Sequence, residues 1–363
     1  MNLRRVNINA AVLSILLVAV VIVNYHGHVN RLVSTASSTT TTSEKDAGIY
    51  SATHQAALAK NARNASLGFG EIVYISMPDR TDRQDAMTIL ADAYGLKLKL
   101  VPGVDGNKMS PKAIPDDVPI TMQPSELGCW RAHANAWRYL LETDMETLLI
   151  FEDDLDWNPN VKETFETLSL QMQNSRIRLQ KPSDHERESA PYGLDWDVFY
   201  VGSCRDGGHP DMNHIVQIWD DPDVVEANRL SESTRETLYH FGLTDADLGK
   251  KRVLAPAYTT LCTTAYAITR QGAQRLLLTM SYLGLHAAVD NDMSRKLRDG
   301  SLRGYSLLPP AFTQFRVGGA KDSDRVKIGT SLNGNSNLNG KSYNIKGSAR
   351  KLLTESQNIN NWE

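Results

Sequence analysis

Three cysteines in 363 residues are too few to build a disulfide scaffold. The odd number leaves one thiol over however Cys129, Cys204 and Cys262 pair, so at most one internal disulfide is available. None of the three stands at a Cys/His spacing that makes a structural zinc site. Excess positive charge is also missing: the formal net charge is -3, with the signs interspersed. No basic stripe exists to neutralise a phosphate backbone, which excludes nucleic acid as a partner. No internal repeat is evident, which excludes repeat architectures. What is present is an enzyme-sized chain, 41% hydrophobic, able to bury a core in one or two domains.

Only one long apolar run occurs outside this globular pattern. Ile8 to Val23 is apolar apart from Asn9 and Ser14 and follows Arg4 and Arg5. At helical rise it covers roughly 24 Å, near the thickness of thin internal membranes. The arginines put the N-terminus in the cytoplasm. The expected organisation is a cytoplasmic tail (1–7), a transmembrane signal anchor (8–25) and a lumenal stalk (26–66) that includes "STASSTTTTS", Ser34 to Ser43. A cleaved signal peptide, with a poor site at Ser34, Thr35 and Ala36, is the alternative. Either way the remainder lies outside the cytosol, where Asn64-Ala65-Ser66 is a glycosylation sequon.

The folded domain, expected over 67–328, opens as β-α-β. "EIVYISM" (Glu71 to Met77) reads as a strand. "PDRTDR" follows, then a helix with Ala86, Met87, Leu90, Ala93 and Tyr94 on one face, ending at Gly95. "LKLKLV" (Leu96 to Val101) alternates like a half-buried strand. Leu127, Trp130, Ala134, Trp137 and Leu141 recur at helical spacing, with Ser125 as N-cap. Asn158-Pro159 predicts the start of a helix extending towards Gln180. "WDVFYVGS" (Trp196 to Ser203) is a further strand, Asp220 to Arg252 reads as a polar insertion, and "TTAYAITRQGAQRLLLTM" turns from strand to helix near Arg270. Residues 329–363, rich in Asn, Gly and Ser, are expected to form a mobile tail. The alternation predicts an α/β fold with a mostly parallel, Rossmann-like sheet flanked by helices. Ligands then bind at the carboxyl ends of the strands.

At one such end lies "TLLIFEDDLDWNP", Thr147 to Pro159. Glu152, Asp153, Asp154 and Asp156 crowd the tip of an apolar strand, where they repel each other and favour a hard cation. Strand alternation puts Glu152, Asp154 and Asp156 on one face and Asp153 on the other. Mn²⁺ or Mg²⁺ held here by one or two carboxylates would have its shell completed by a diphosphate, acting as a Lewis acid towards a leaving nucleotide. The plainer explanation is that the acids cap the next helix.

"ELGCWRAHANAW" followed by "LLIFEDDLDW" resembles the signature of glycosyltransferase family 25, an E-x-G-C-x-x-S-H-x-x-x-W helix before a strand ending in E-D-D. The resemblance extends to "RTDR", to "VDG" (Val104 to Gly106), to "WDVFYVGS", "TTAYAITRQGAQRLL" and "KDSDR", covering roughly Glu71 to Arg325. It departs at Ala132, where the family has Ser. It implies the A-type glycosyltransferase fold and inverting transfer of a hexose, galactose or glucose, from a UDP-sugar to a glycan or glycoprotein acceptor. Glu152, Asp153 and Asp154 would then hold Mn²⁺ and the donor.

Arg80 and Arg83 offer guanidinium forks to a diphosphate, or are surface arginines paired with Asp79 and Asp82. His133, between Trp130 and Trp137, is a site-shaping residue or a core histidine satisfied by a backbone partner. Asp290 in "HAAVDNDMSRKL" is the expected general base, while it and Asp292 could equally cap a helix. Ser323-Asp324 in "KDSDR" resembles a family block near the end of the catalytic domain, which makes the pair a further candidate to reach metal or acceptor. The leading expectation is a single-pass type II membrane protein of the Golgi or endoplasmic reticulum with a lumenal transferase domain. Its rivals are an inactive transferase-like protein that binds glycans or a partner, and a metal-dependent phosphohydrolase, which usually needs more ligands than one strand supplies.

Overall fold

The computed structural model describes residues 52–119, 121–174, 177–178, 181, 183–212, 214–315 and 343–355. The expected anchor at 8–25, the stalk as far as residue 51, and "KDSDR" lie outside these residues. Among the described residues no helix is long and apolar enough to cross a membrane.

Among the described residues ten strands form: β1 (Glu71–Ser76), β2 (Leu98–Pro102), β3 (Thr147–Glu152), β4 (Leu155–Trp157), β5 (Val198–Tyr200), β6 (Gln217–Asp220), β7 (Lys251–Pro256), β8 (Ala265–Thr269), β9 (Gly304–Leu308) and β10 (Phe312–Gln314). Eight make one sheet in the order β2-β1-β3-β8-β5-β9-β7-β6, and β4 pairs with β10 in a small second sheet. β8 and β7 run against the other six strands of the large sheet, so the mostly parallel α/β class holds. This is consistent with an A-type glycosyltransferase-like fold.

Period-two alternation splits the sheet between two cores. Ile72, Tyr74, Leu149 and Phe151 face one layer, covered by the helices Thr81–Ala93 and Val161–Asn174. Val73, Leu148 and Ile150 face the other, covered by Pro124–Leu141, Arg270–Leu277 and Val289–Arg298. β1, β2 and β3 are parallel neighbours, with β1 between β2 and β3. Their carboxyl ends therefore share one edge.

Several boundaries differ from the sequence reading. Ser125 is not the N-cap: Gln123 is, with Pro124 at the first helical position and the Glu126 carboxylate accepting from the Gln123 amide at 2.9 Å. The helix after the acidic strand starts at Val161 and stops at Asn174, short of Gln180. Asn158 instead closes a turn by accepting from the Asn160 amide. The polar stretch 220–252 is not an insertion over the core. β6 and β7 bracket it and extend the sheet, and Val225, Leu230, Leu238 and Phe241 give it a core of its own. Within the expected stalk, a helix spans Ala52–Asn61 and buries Leu58 and Ala59. The expected mobile tail is placed over 343–355, where Ile345 and Ala349 are buried and a helix spans Ala349–Glu355.

Candidate active site

A cleft opens where the three strands end. Its lining comes from Ser76 and Met77 at the end of β1, Gly103 to Asn107 after β2, Glu152, Asp153 and Asp154 at the end of β3, and Cys129 and His133 of the Pro124–Leu141 helix. The cleft of 240 Å³ runs on into a depression of 540 Å³ that shares Met77, Gly103, Val104 and Asp105. Together they suit an elongated small molecule better than a lone ion. Two glycines allow the walls to meet. A Cβ on Gly106 would lie 1.7 Å from the Pro124 carbonyl oxygen, and one on Gly128 would lie 2.1 Å from that of Val104. The "VDG" loop therefore packs backbone to backbone on the helix start.

The acidic residues do not alternate as expected. β3 stops at Glu152 and the chain turns through Asp153 and Asp154, so three consecutive carboxylates line one cleft. Asp156 is the one that leaves. It is fully buried in β4 and accepts from Ser348 Oγ at 2.5 Å and from the Arg350 amide at 3.2 Å.

Each cleft carboxylate is held differently. Asp153 forms a buried ion pair with Arg83 at 2.5 Å. Glu152 accepts from Thr263 Oγ1 at 2.7 Å and stands 3.7 Å from His133 Nε2. Asp154 lies between these anchored neighbours and the Phe315 amide, which donates to its carbonyl at 2.6 Å. Arg80 does not line the cleft. It pairs with Asp82 at 2.8 Å, and that hydrogen bond holds the Asp82 carboxyl down at about 2.

His133 is buried. Its Nδ1 meets Tyr266 Oη at 2.9 Å, and the same oxygen accepts from Trp137 Nε1 at 2.8 Å. Burial acts to lower its pKa, but the Cys129 sulfur and the Glu152 carboxylate outweigh burial and carry it up to about 9. A folded pKa above the unfolded value of 6.5 means that protonation stabilises the fold. That contribution is complete below the unfolded pKa and is lost as pH rises through the folded one. Thermal unfolding is therefore expected to show Tm falling from about pH 6.5 to about pH 9, with a flatter profile for His133→Gln. Equal slopes in both proteins would refute this assignment.

Asp290 is outside the cleft lining. At the start of the Val289–Arg298 helix its Oδ2 accepts from the Cys262 amide at 3.4 Å and its Oδ1 from the Asn291 amide at 2.9 Å. It stands beside the segment whose next residue, Thr263, holds Glu152. Asp292 is fully buried, takes the His286 amide and pairs with Arg295 at 2.7 Å. The segment at 260–264 is itself tied down. A Cys204–Cys262 disulfide anchors it through Cys262, and buried Asp206 accepts from Thr260 at 3.1 Å and from Ser306. Burial raises the Asp206 carboxyl to about 7. Cys129 is the remaining thiol and faces the cleft.

The structure thus gathers Arg83, His133, Glu152, Asp153 and Asp154, and sets Arg80 and Asp290 outside the cleft lining. Thr263, Asp105 and Cys129 escaped the sequence reading as individual site residues, although "VDG" and "ELGC" contain the last two. Ser348 and Arg350 carried no sequence signal at all. Among the described residues no group of three or more His, Cys, Asp or Glu side chains is placed to hold a metal ion. A diphosphate site does not need one, since Mg²⁺ there takes one or two carboxylates plus water and phosphate oxygens. The all-oxygen set of Asp154 and Glu152 fits such a hard cation.

Residues 69–190 match the model of glycosyltransferase family 25 (LPS biosynthesis protein). The chain is 24% identical over 152 residues to procollagen galactosyltransferase 1 of Danio rerio, an alignment covering 38% of this chain and 22% of that protein. It is 26% identical over 151 residues to procollagen galactosyltransferase 2 of Homo sapiens, covering 38% and 21%. It is also 27% identical over 154 residues to inactive glycosyltransferase 25 family member 3 of Homo sapiens, covering 39% and 23%. The chain spans about a fifth of the length of the curated relatives it matches.

Proposed function

We propose that the cleft binds a UDP-hexose and that the protein transfers galactose or glucose, with inversion, to a glycan or glycoprotein acceptor. One observation carries this reading: Glu152, Asp153 and Asp154, with Arg83, converge at the carboxyl ends of three adjacent parallel strands, inside the segment that matches the family. The depression lined by Met77, Gly103 and Asp105 receives the nucleoside, so its diphosphate reaches the acidic turn. Arg83 is already charge-compensated by Asp153, and adds a guanidinium edge for phosphate oxygens. Asp154 and Glu152 would hold Mn²⁺ or Mg²⁺, which when bound offsets negative charge on the departing diphosphate. Thr263 and the His133 imidazolium keep Glu152 in place.

In an inverting transfer the acceptor oxygen bonds to the anomeric carbon as the bond from that carbon to the diphosphate oxygen breaks. The hydroxyl proton must pass to a base on the far side, and Asp290 beside the Thr263 segment is our choice. The Cys204–Cys262 disulfide suits the oxidising lumen that a Golgi or endoplasmic reticulum membrane protein, anchored through 8–25, would meet.

Similarity to a relative named inactive favours one second reading, donor binding without turnover. Calorimetric titration with UDP, with and without Mn²⁺, followed by turnover assays with UDP-galactose and UDP-glucose, separates the cases. We expect Mn²⁺-dependent UDP binding and release of UDP from one of the two sugars. Binding with no turnover would select the second reading, and no UDP binding in either metal state would overturn both.

A further inference from the structure

The side chains of the acidic turn point into the cleft while its backbone points the other way, towards residues near the C-terminus. Three consecutive carbonyls are all taken from that side. Arg350 Nη2 donates to the Asp153 carbonyl at 3.1 Å and Arg350 Nε to that of Leu155 at 2.8 Å, while the Phe315 amide takes the Asp154 carbonyl at 2.6 Å. The Arg350 guanidinium also lies 5.5 Å from the Phe315 ring centre, so the two donors brace each other. Its own amide and Ser348 Oγ bind the buried Asp156 carboxylate just beyond the turn.

We propose that Arg350 is a positioning residue for the donor site, and that the Ser348–Arg350 segment completes the acidic turn from behind. A planar fork that spans two carbonyls, one on each side of Asp154, fixes the direction in which that carboxylate projects. Its positive charge behind Asp153, Asp154 and Asp156 lowers the cost of crowding acids at one strand end. Lysine supplies the charge but not the fork. Arg350 lies far beyond residues 69–190, so the part of the chain that resembles the family presents its acidic turn with help from a segment outside the match.

The effect on metal and nucleotide rests on the function proposed above, whereas the effect on the turn does not. Hydrogen exchange of the amides at 152–157 and calorimetry with UDP and Mn²⁺ therefore read the two separately, on the full chain with Arg350→Ala and Arg350→Lys. We expect exchange across the turn to accelerate by about tenfold or more in both variants, with the sheet amides of β1 and β5 unchanged. We also expect Mn²⁺-dependent UDP affinity to fall by about 10- to 100-fold, the usual effect of losing a group that orients metal ligands. Unaltered exchange at the turn in Arg350→Ala, or a loosened turn with unaltered Mn²⁺-dependent affinity, overturns the proposal. A Lys variant that behaves as wild type overturns the fork and leaves only charge. A loosened turn in a protein whose wild-type form binds no UDP supports the bracing and refutes the donor reading instead.

Discussion

Asp154→Ala is expected to remove Mn²⁺-dependent UDP binding and to lower the rate of hexose transfer by about 10²- to 10³-fold, the scale seen when one charge-stabilising group leaves a preorganised site. The fold should survive, because the turn backbone is held through the Asp153, Asp154 and Leu155 carbonyls, which the substitution leaves in place. Asp153→Ala should behave in the opposite way. It removes one partner of the buried Arg83–Asp153 ion pair, and breaking such a pair costs about 3–5 kcal/mol, so that variant should lose stability along with activity. Chemical denaturation of both variants beside UDP calorimetry checks the contrast. An Asp154→Ala protein that keeps full Mn²⁺-dependent affinity would remove this residue from the metal role.

The second large effect belongs to the disulfide. Cys204 and Cys262 are separated by 58 residues, and loop-closure entropy alone puts the loss of such a crosslink at about 4 kcal/mol. The bond also holds the segment that carries Thr263, which donates to Glu152, and the Cys262 amide, which donates to Asp290. A Cys204→Ala/Cys262→Ala variant should unfold at much lower denaturant and bind UDP more weakly as Glu152 loses its anchor. The Asp206–Thr260 bonds and the short bridge between Arg205 and Leu261 remain and keep the segment from detaching. Equal denaturation midpoints for the variant and the oxidised wild type would show that this crosslink does not carry the stability assigned to it.

Local pattern made much of the fold legible. Apolar spacing located the helices Thr81–Ala93 and Pro124–Leu141, β-branched runs located β1 and β3, and β-α-β alternation placed the acidic tip on the ligand edge. These features follow from backbone sterics and side-chain period, which act over a few residues. The same reasoning failed at the turn itself. Alternation presumes that a strand continues, and β3 ends at Glu152, so Asp153 joined the cleft that it was expected to face away from. It failed again at 220–252 and at 343–355, where polar or low-complexity composition hid elements that are buried by distant partners.

By itself the sequence determined the α/β class, the strand that ends in carboxylates and the helix that carries His133. Which carboxylate does what was decided only in three dimensions. Arg83 reaches Asp153 across 70 residues, Thr263 reaches Glu152 across 111, and Arg350 reaches the Asp153 carbonyl across 197. No short-range periodicity encodes such pairings. They exist because the sheet order sets β1, β3 and β8 side by side, and because a C-terminal segment returns to satisfy carbonyls that a turn at a strand end leaves without a ladder partner.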